Sequence, residues 1–180
     1  VGGLMPFVRR SLDAYTGRVV GIAESLGKEG VALDDELRRL HGDTAAQAAA
    51  LDAFFLARLQ PHPDHDHMRT LLAAVNGSDG SVRVDTLGEH ANLSPRTVGR
   101  MFKRYLGVAP KTYAQVVRFQ RCLNRLRHDP GVTLSEIATQ CGYYDQSHLV
   151  RAYRRFAGVV PVQHAGYFPA DGPHDFSPNV

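Results

Sequence analysis

The 180 residues carry a formal net charge of +3, 43% hydrophobic residues and two cysteines. That length suits one domain, or one domain with a fragment beside it, and the hydrophobic content suits a soluble globular protein. No apolar run approaches the roughly 18 residues a membrane helix needs, no signal peptide is visible, and two cysteines make neither a metal site nor a disulfide framework.

Residues 1–60 read as mostly helical and mildly acidic. The clearest helical patterns are at 34–40 and 44–59, where Leu51, Phe54, Phe55 and Leu59 recur at steps of three and four and form one apolar face. Gly2-Gly3 and the glycines at 27 and 30 are read as breakers. This region is thin for an independent fold. Opening on Val1 rather than Met, the chain is expected to lack its natural start, and the segment to be the end of a larger domain or a helical oligomerisation element.

Pro61-His-Pro-Asp-His-Asp-His67 breaks the helical pattern and reads as a linker. His62, His65 and His67, with Asp64 and Asp66, are also of the types that hold zinc, nickel or copper. Pro61 and Pro63 favour an extended loop with no fixed geometry, so no metal is expected and the three histidines are weak candidates. A short helix follows at 68–75, with Met68, Leu71, Leu72 and Val75 on one side, and then a turn cluster, Asn76-Gly-Ser-Asp-Gly80.

Charge is unevenly spread. Residues 81–168 hold 13 Lys/Arg against 5 Asp/Glu, or +8, and the remainder holds 8 against 13, or −5. A basic block beside an acidic one is the footprint of a polyanion-binding domain attached to something else.

Within the basic block a pattern occurs twice. Leu87-Gly-Glu-His-Ala-Asn-Leu-Ser-Pro-Arg-Thr-Val-Gly-Arg-Met-Phe-Lys-Arg-Tyr-Leu-Gly-Val-Ala-Pro110 is answered by Ile137-Ala-Thr-Gln-Cys-Gly-Tyr-Tyr-Asp-Gln-Ser-His-Leu-Val-Arg-Ala-Tyr-Arg-Arg-Phe-Ala-Gly-Val-Val-Pro161. Each is a short helix, a tight turn and a basic amphipathic helix ending in Gly-Val-x-Pro. A duplicated helix-turn-helix fits a protein reading two neighbouring grooves of one duplex.

In the first copy a helix over 84–92 is expected, with Val84, Leu87 and Ala91 inward and Gly88 at the helix crossing. Ser94 is an N-cap and Pro95 a first helical residue. Val98, Met101, Phe102 and Tyr105 form the buried stripe of the next helix, and Gly107 ends it. Arg96, Thr97, Gly99, Arg100, Lys103 and Arg104 are left outside. In the second copy Thr133 or Ser135 caps the first helix, Ile137, Ala138 and Cys141 face inward, and Gly142-Tyr143 makes the turn. Asp145 caps a helix whose stripe is Leu149, Ala152, Tyr153 and Phe156. Gln146, Ser147, His148, Arg151, Arg154 and Arg155 remain outside. Cys122 and Cys141 sit among apolar residues, so packing in a reducing cytoplasm is their expected role.

Between the copies, residues 111–128 read as one helix with a broad apolar surface from Tyr113 to Leu126. Eighteen residues span about 27 Å, and adjacent major-groove faces on one side of B-DNA lie about 34 Å apart. A rigid spacer of that length is compatible with two recognition helices entering successive grooves.

Residues 65–168 resemble the DNA-binding domain of the AraC/XylS transcriptional regulators. The likeness rests on Leu93-Ser-Pro-Arg-Thr in the first copy and on Gly142-Tyr-Tyr-Asp-Gln-Ser-His-Leu-Val-Arg-Ala-Tyr-Arg-Arg-Phe-Ala-Gly-Val-Val-Pro161, which covers the family's signature stretch. The resemblance implies an all-α fold of two helix-turn-helix subdomains joined by a long linker helix, preceded here by a helical N-terminal segment. The expected organisation is a remnant of a sensor or oligomerisation domain at 1–60, a linker at 61–67, the DNA-binding domain at 68–168 and a flexible tail at 169–180. Within the domain, the helix-turn-helix units fall at 84–107 and 133–158 and the linker helix at 110–128. Two departures stand out: Gly88 where the family has Ala, and Gly99 where a longer polar side chain is common.

The function implied is sequence-specific DNA binding in transcription control, with activation through RNA polymerase. Base reading is expected from Arg96, Thr97 and Arg100 and, by the resemblance, from Gln146, Ser147, His148 and Arg151. Arg96 and Arg100 have phosphate contact as their other reading, and Gln146 has helix capping. Lys103, Arg104, Arg154 and Arg155 are expected on phosphates or as a solvated face. Expected partners are double-stranded DNA, RNA polymerase and a second copy through the N-terminal part, in the cytoplasm and away from membrane. Alternatives are a DNA-repair or other enzyme carrying such a module, or a metal-responsive regulator using the His-rich linker. No catalytic residue or cofactor is expected, because the chain has no Gly-x-Ser-x-Gly, no phosphate-binding Gly-rich loop and no cysteine set.

Overall fold

The computed structural model describes residues 4–8, 10–59, 63–129 and 131–160. These are all-helical, with α1 (Ile22–Leu26), α2 (Lys28–Arg39), α3 (Thr44–Leu56), α4 (His65–Gly77), α5 (Pro95–Leu106), α6 (Pro110–His128), α7 (Leu134–Gln140) and α8 (Gln146–Ala157). Short 3₁₀ turns lie at Leu12–Tyr15 and Leu87–Ala91. The described residues fall into two compact units, one drawn from Val1–Leu71 and Asp85–Pro110, the other from Leu72–Val84 and Lys111–Val180.

In the first unit, α1 packs on α2, α2 on α3, and α5 on both 3₁₀ turns. Gly30, expected as a breaker, lies inside α2 and is buried. A Cβ there would run into the Ile22 carbonyl and the Leu26 side chain, so this glycine permits the close approach of α1 to α2. The apolar face of α3 is only half covered. Leu51, Phe54 and Phe55 are half-buried, with Phe55 edge-on to Phe7 at 4.7 Å. Leu59 lies beyond the helix end and is 56% exposed. Arg58 stacks over Phe54 at 3.8 Å and pairs with Glu29 of α2 at 3.1 Å.

α4 starts at His65, within the stretch expected as an extended linker, because the Asp64 carbonyl already accepts the helical hydrogen bond from Met68 N–H (2.9 Å). Met68, Leu71 and Val75 are buried as their spacing requires.

The first helix of the first helix-turn-helix is shorter than expected. Only Leu87–Ala91 is helical, and it is 3₁₀. Asn92 at φ +54° ends it in the left-handed conformation, and Leu93 N–H turns back to the Gly88 carbonyl at 2.9 Å. Gly88 is buried, and an added Cβ would collide with the Leu93 carbonyl and crowd Val98. The turn folds directly over this residue, so no side chain fits. Gly88→Ala is therefore expected to destabilise the first unit by about 1–3 kcal/mol, the usual cost of overpacking, despite Ala's better helix propensity. A chemical-denaturation midpoint equal to the parent's would contradict this.

In the second unit the core is Cys122, Ile137, Ala138, Cys141, Tyr143 and Leu149, with Leu126, Val132, Leu134 and Ala152 packed against it. Phe119 of α6 meets Tyr153 of α8 edge-on at 5.0 Å and Phe156 at 5.5 Å. Both cysteines are free and buried. Burial, with Cys141 beside it, pushes the Cys122 thiol well above its ordinary range, which marks a packing residue and not a nucleophile.

The 76–81 turn is clasped to α6 by polar contacts. Tyr113 Oη donates to Asn76 Oδ1 (3.1 Å), and Arg121 pairs with Asp79 (3.0 Å). Arg118 Nη2 donates to the Gly80 carbonyl (2.9 Å), while its Nη1 donates to the carbonyl of Gly142 (3.3 Å), the turn residue that leads into α8.

Candidate nucleic-acid interface

Two helices carry the polar faces expected to read DNA. α5 begins as its residue order dictates. Ser94 Oγ accepts from Thr97 N–H (3.2 Å), and Pro95 occupies the first turn, where its missing N–H costs nothing. At the other end Gly107, at φ +74°, ends the helix, and its N–H donates to the Lys103 carbonyl (2.9 Å). This end is also anchored from the N-terminal segment, since Thr16 Oγ1 donates to the Gly107 carbonyl at 2.7 Å. A Cβ on Gly107 would meet both Thr16 and the Leu12 carbonyl. Tyr105 adds a second tie, with its hydroxyl on Asp64 at 3.2 Å. Burial, reinforced by the Asp64 charge, pushes that phenol up to about 12.

Val98, Met101, Phe102 and Tyr105 are buried, and Arg96, Arg100, Lys103 and Arg104 are exposed. At 100° per residue Arg96, Gly99, Arg100 and Lys103 share one face. Thr97 is half-buried and its hydroxyl lies 2.9 Å from Ser94 Oγ, so it is partly spent on the cap. Gly99 has open space where a side chain would stand, which leaves a gap in the middle of this face.

α7 and α8 repeat the logic with different caps. Thr133, not Ser135, caps α7 in a full capping box with Glu136. The Thr133 hydroxyl and N–H hold the Glu136 carboxyl below its ordinary value. Asp145 caps α8 by accepting from His148 N–H at 2.6 Å. Gln146 is thereby released from the capping alternative, and it stands exposed in the first turn with Ser147 and His148. Arg151 and Arg154 are exposed one and two turns on, and Arg155 is exposed while donating to Gln115 (3.1 Å). Val150, which sequence reasoning passed over, is half-buried between Gln146 and Arg151 on the same face. Its hydrophobic character concealed it among core residues, yet an apolar group here suits a thymine methyl.

His148 is the most constrained of these side chains. Its ring is edge-on to Tyr143 at 5.1 Å, and Nδ1 accepts from Tyr144 N–H at 3.5 Å. In the neutral ring that bond places the remaining hydrogen on Nε2, a donor for a base-edge acceptor.

Neither α5 nor α8 contains an acidic residue. Among the described residues no ion pair engages Arg96, Arg100, Lys103, Arg104, Arg151 or Arg154. Each face therefore presents uncompensated positive charge. At the other candidate location, His65 and His67 are exposed in the first turn of α4, Asp66 pairs with Arg69 (3.0 Å), and His62 lies outside the described residues. Among the described residues no three potential ligands come together as a metal site, and no helix is long and apolar enough to cross a membrane. Pro161 and the expected tail also lie outside the described residues.

Comparison with known proteins agrees with this geometry. A family model described as a helix-turn-helix domain matches residues 87–165. The HTH-type transcriptional regulator GbdR of Pseudomonas aeruginosa is 26% identical over 137 residues, covering 68% of this chain and 37% of that protein. The HTH-type transcriptional activator RhaS of Escherichia coli is 34% identical over 74 residues, covering 41% of this chain and 26% of that protein. The match thus spans between about a quarter and just over a third of the length of these curated relatives. Among solved structures, an AraC-type transcriptional regulator from Chromobacterium violaceum superposes with a TM-score of 0.55 at 20% identity, over 62% of this chain and 97% of that one. A probable AraC family regulator from Rhodopseudomonas palustris gives 0.50 at 24% identity, over 57% and 96%.

Proposed function

We propose that residues 87–165, which match a helix-turn-helix family model, form a DNA-binding domain of the AraC type, and that the protein is a sequence-specific DNA-binding regulator of transcription that places α5 and α8 in successive major grooves. The observation that carries this reading is the repetition of one device. Twice, a side-chain cap starts a helix whose buried stripe faces its own unit and whose opposite face is basic and free of acidic residues.

The chemistry of each face assigns roles. In this reading Arg100 and Arg151 make bidentate contact with guanine O6 and N7, with Arg96 beside the former. Gln146, Ser147 and His148 form the polar first turn that enters a groove foremost, as recognition helices do. Lys103, Arg104 and Arg154, a turn or more further on, suit phosphates; so does Arg155 when it leaves Gln115. The reading is one of binding without catalysis, in the cytoplasm. RNA polymerase is the natural protein partner of an activator, and the N-terminal segment is the natural place for self-association.

Selection of bound fragments from a genomic DNA pool at a stated salt concentration tests the reading. Enrichment of a composite site with two half-site preferences is expected. Equal retention of all duplexes would reduce the protein to a non-specific polycation.

A further inference from the structure

Tyr144 is 92% exposed, and among the described residues it is the one large hydrophobic side chain in the second unit that is left in solvent. It immediately precedes the α8 cap, Asp145. A side chain at this position ordinarily packs down on the fourth helical residue as a hydrophobic staple. Here the fourth residue is Leu149, which is already fully buried, and Tyr143 supplies the packing at 7% exposure. Tyr144 therefore does no structural work that its exposure would allow.

Its backbone is nonetheless held firmly. Tyr143 N–H donates to the Ala138 carbonyl (2.9 Å) and Gly142 N–H to the Thr139 carbonyl (3.0 Å). The Gly142 carbonyl accepts from Arg118 (3.3 Å), and Tyr144 N–H itself donates to the ring of His148 (3.5 Å). A rigid main chain thus presents a solvent-facing phenol at the end of α8 that carries Gln146, Ser147 and His148. A phenol has two side-chain torsions to order and one strong hydroxyl donor. It is neutral, so it tolerates the neighbouring Asp145 carboxylate, which is engaged by His148 N–H at 2.6 Å.

We propose that Tyr144 is a phosphate anchor of the second recognition helix: its hydroxyl donates to a backbone phosphate at the edge of the groove that α8 enters and fixes the register of Gln146–His148 on the base edges. Tyrosine hydroxyls and helix N-termini are both regular phosphate donors. The inference rests on the DNA-binding reading above and adds to it a contact by a residue outside the basic faces. Because a neutral donor displaces no counterion, its signature differs from that of a lysine or arginine.

The test compares the full chain with Tyr144→Phe and Tyr144→Ala, using fluorescence anisotropy on the selected duplex and a scrambled one across a salt series. Both variants should keep the parent's melting temperature, since the side chain is in solvent. Tyr144→Phe should weaken binding roughly threefold to tenfold on both duplexes, as loss of one hydrogen bond does, with an unchanged slope of log Kd against log salt; Tyr144→Ala should lose at least as much. Parental affinity in Tyr144→Phe would overturn the anchor. A loss confined to the selected duplex would overturn it too, in favour of a base contact. If the parent itself fails to distinguish the duplexes, the sequence-specific reading falls, and with it the register that the anchor is proposed to fix, an outcome separable from the other two by the parent's curve alone.

Discussion

Replacing Tyr153 with alanine should lower the stability of the second unit by about 3–5 kcal/mol, the range for deleting a large buried aromatic ring. The residue is 1% exposed and stands edge-on to Phe119 at 5.0 Å, so its loss removes both area and a directed ring contact. It belongs to α8, and the same substitution should therefore abolish the preference contributed by Gln146–Arg151. Denaturant titration followed by circular dichroism measures the first effect, and binding to half-site variants the second. Tyr153→Phe keeps the ring and should recover most of the stability. Its phenol also predicts a pH trend. Burial chiefly pushes it up to about 12 from an ordinary 10.0. The folded state then holds a proton that the unfolded chain releases first, so this contribution is complete below about pH 10 and declines as pH rises toward about 12. A Tyr153→Ala protein with the parent's denaturation midpoint would show that the α6–α8 aromatic contact is not where the stability lies.

The features legible in the sequence are those with a local cause. Ser94, Pro95, Thr133, Asp145, Gly107 and the two buried stripes are recognisable because capping, proline placement and 3.6-residue spacing act within a few residues of each other. What escaped reading depends on distant partners. Gly30 looks like a breaker until the Ile22 carbonyl is seen against it. The grip of Thr16 on the far end of α5 joins residues 91 positions apart, and Arg118 reaches two carbonyls on segments distant in sequence. Polar side chains bonded to backbone leave no periodic mark. The charges of the candidate interface stand out in the sequence, whereas its neutral members Val150 and Tyr144 carry no charge and belong to no stripe or cap that would single them out.

The two basic faces also make different demands, and the sharpest separation is between Arg151 and Lys103. Arg151→Ala should cost about 1–3 kcal/mol on the preferred site and relax preference at one base pair, whereas Lys103→Ala should weaken all sequences alike and reduce the salt slope by about one. Both side chains are exposed and neither is held in an ion pair among the described residues, so any loss reports on DNA and not on folding. The contrast follows from geometry. A guanidinium can engage two acceptors of one guanine in a fixed plane, while an ammonium meets phosphate as a point charge. On α5 Gly99 leaves open space on the face of Arg96, Arg100 and Lys103, so the expected readers there are Arg96 and Arg100, with Thr97 partly spent on the cap. Filling it with Gly99→Gln, where the space is open, should leave stability nearly unchanged and narrow the preference under α5. Kd measured for every single-base variant of the selected site, at two salt concentrations, would resolve these effects. If Arg151→Ala weakens all variants equally, Arg151 is a phosphate contact and not a base reader.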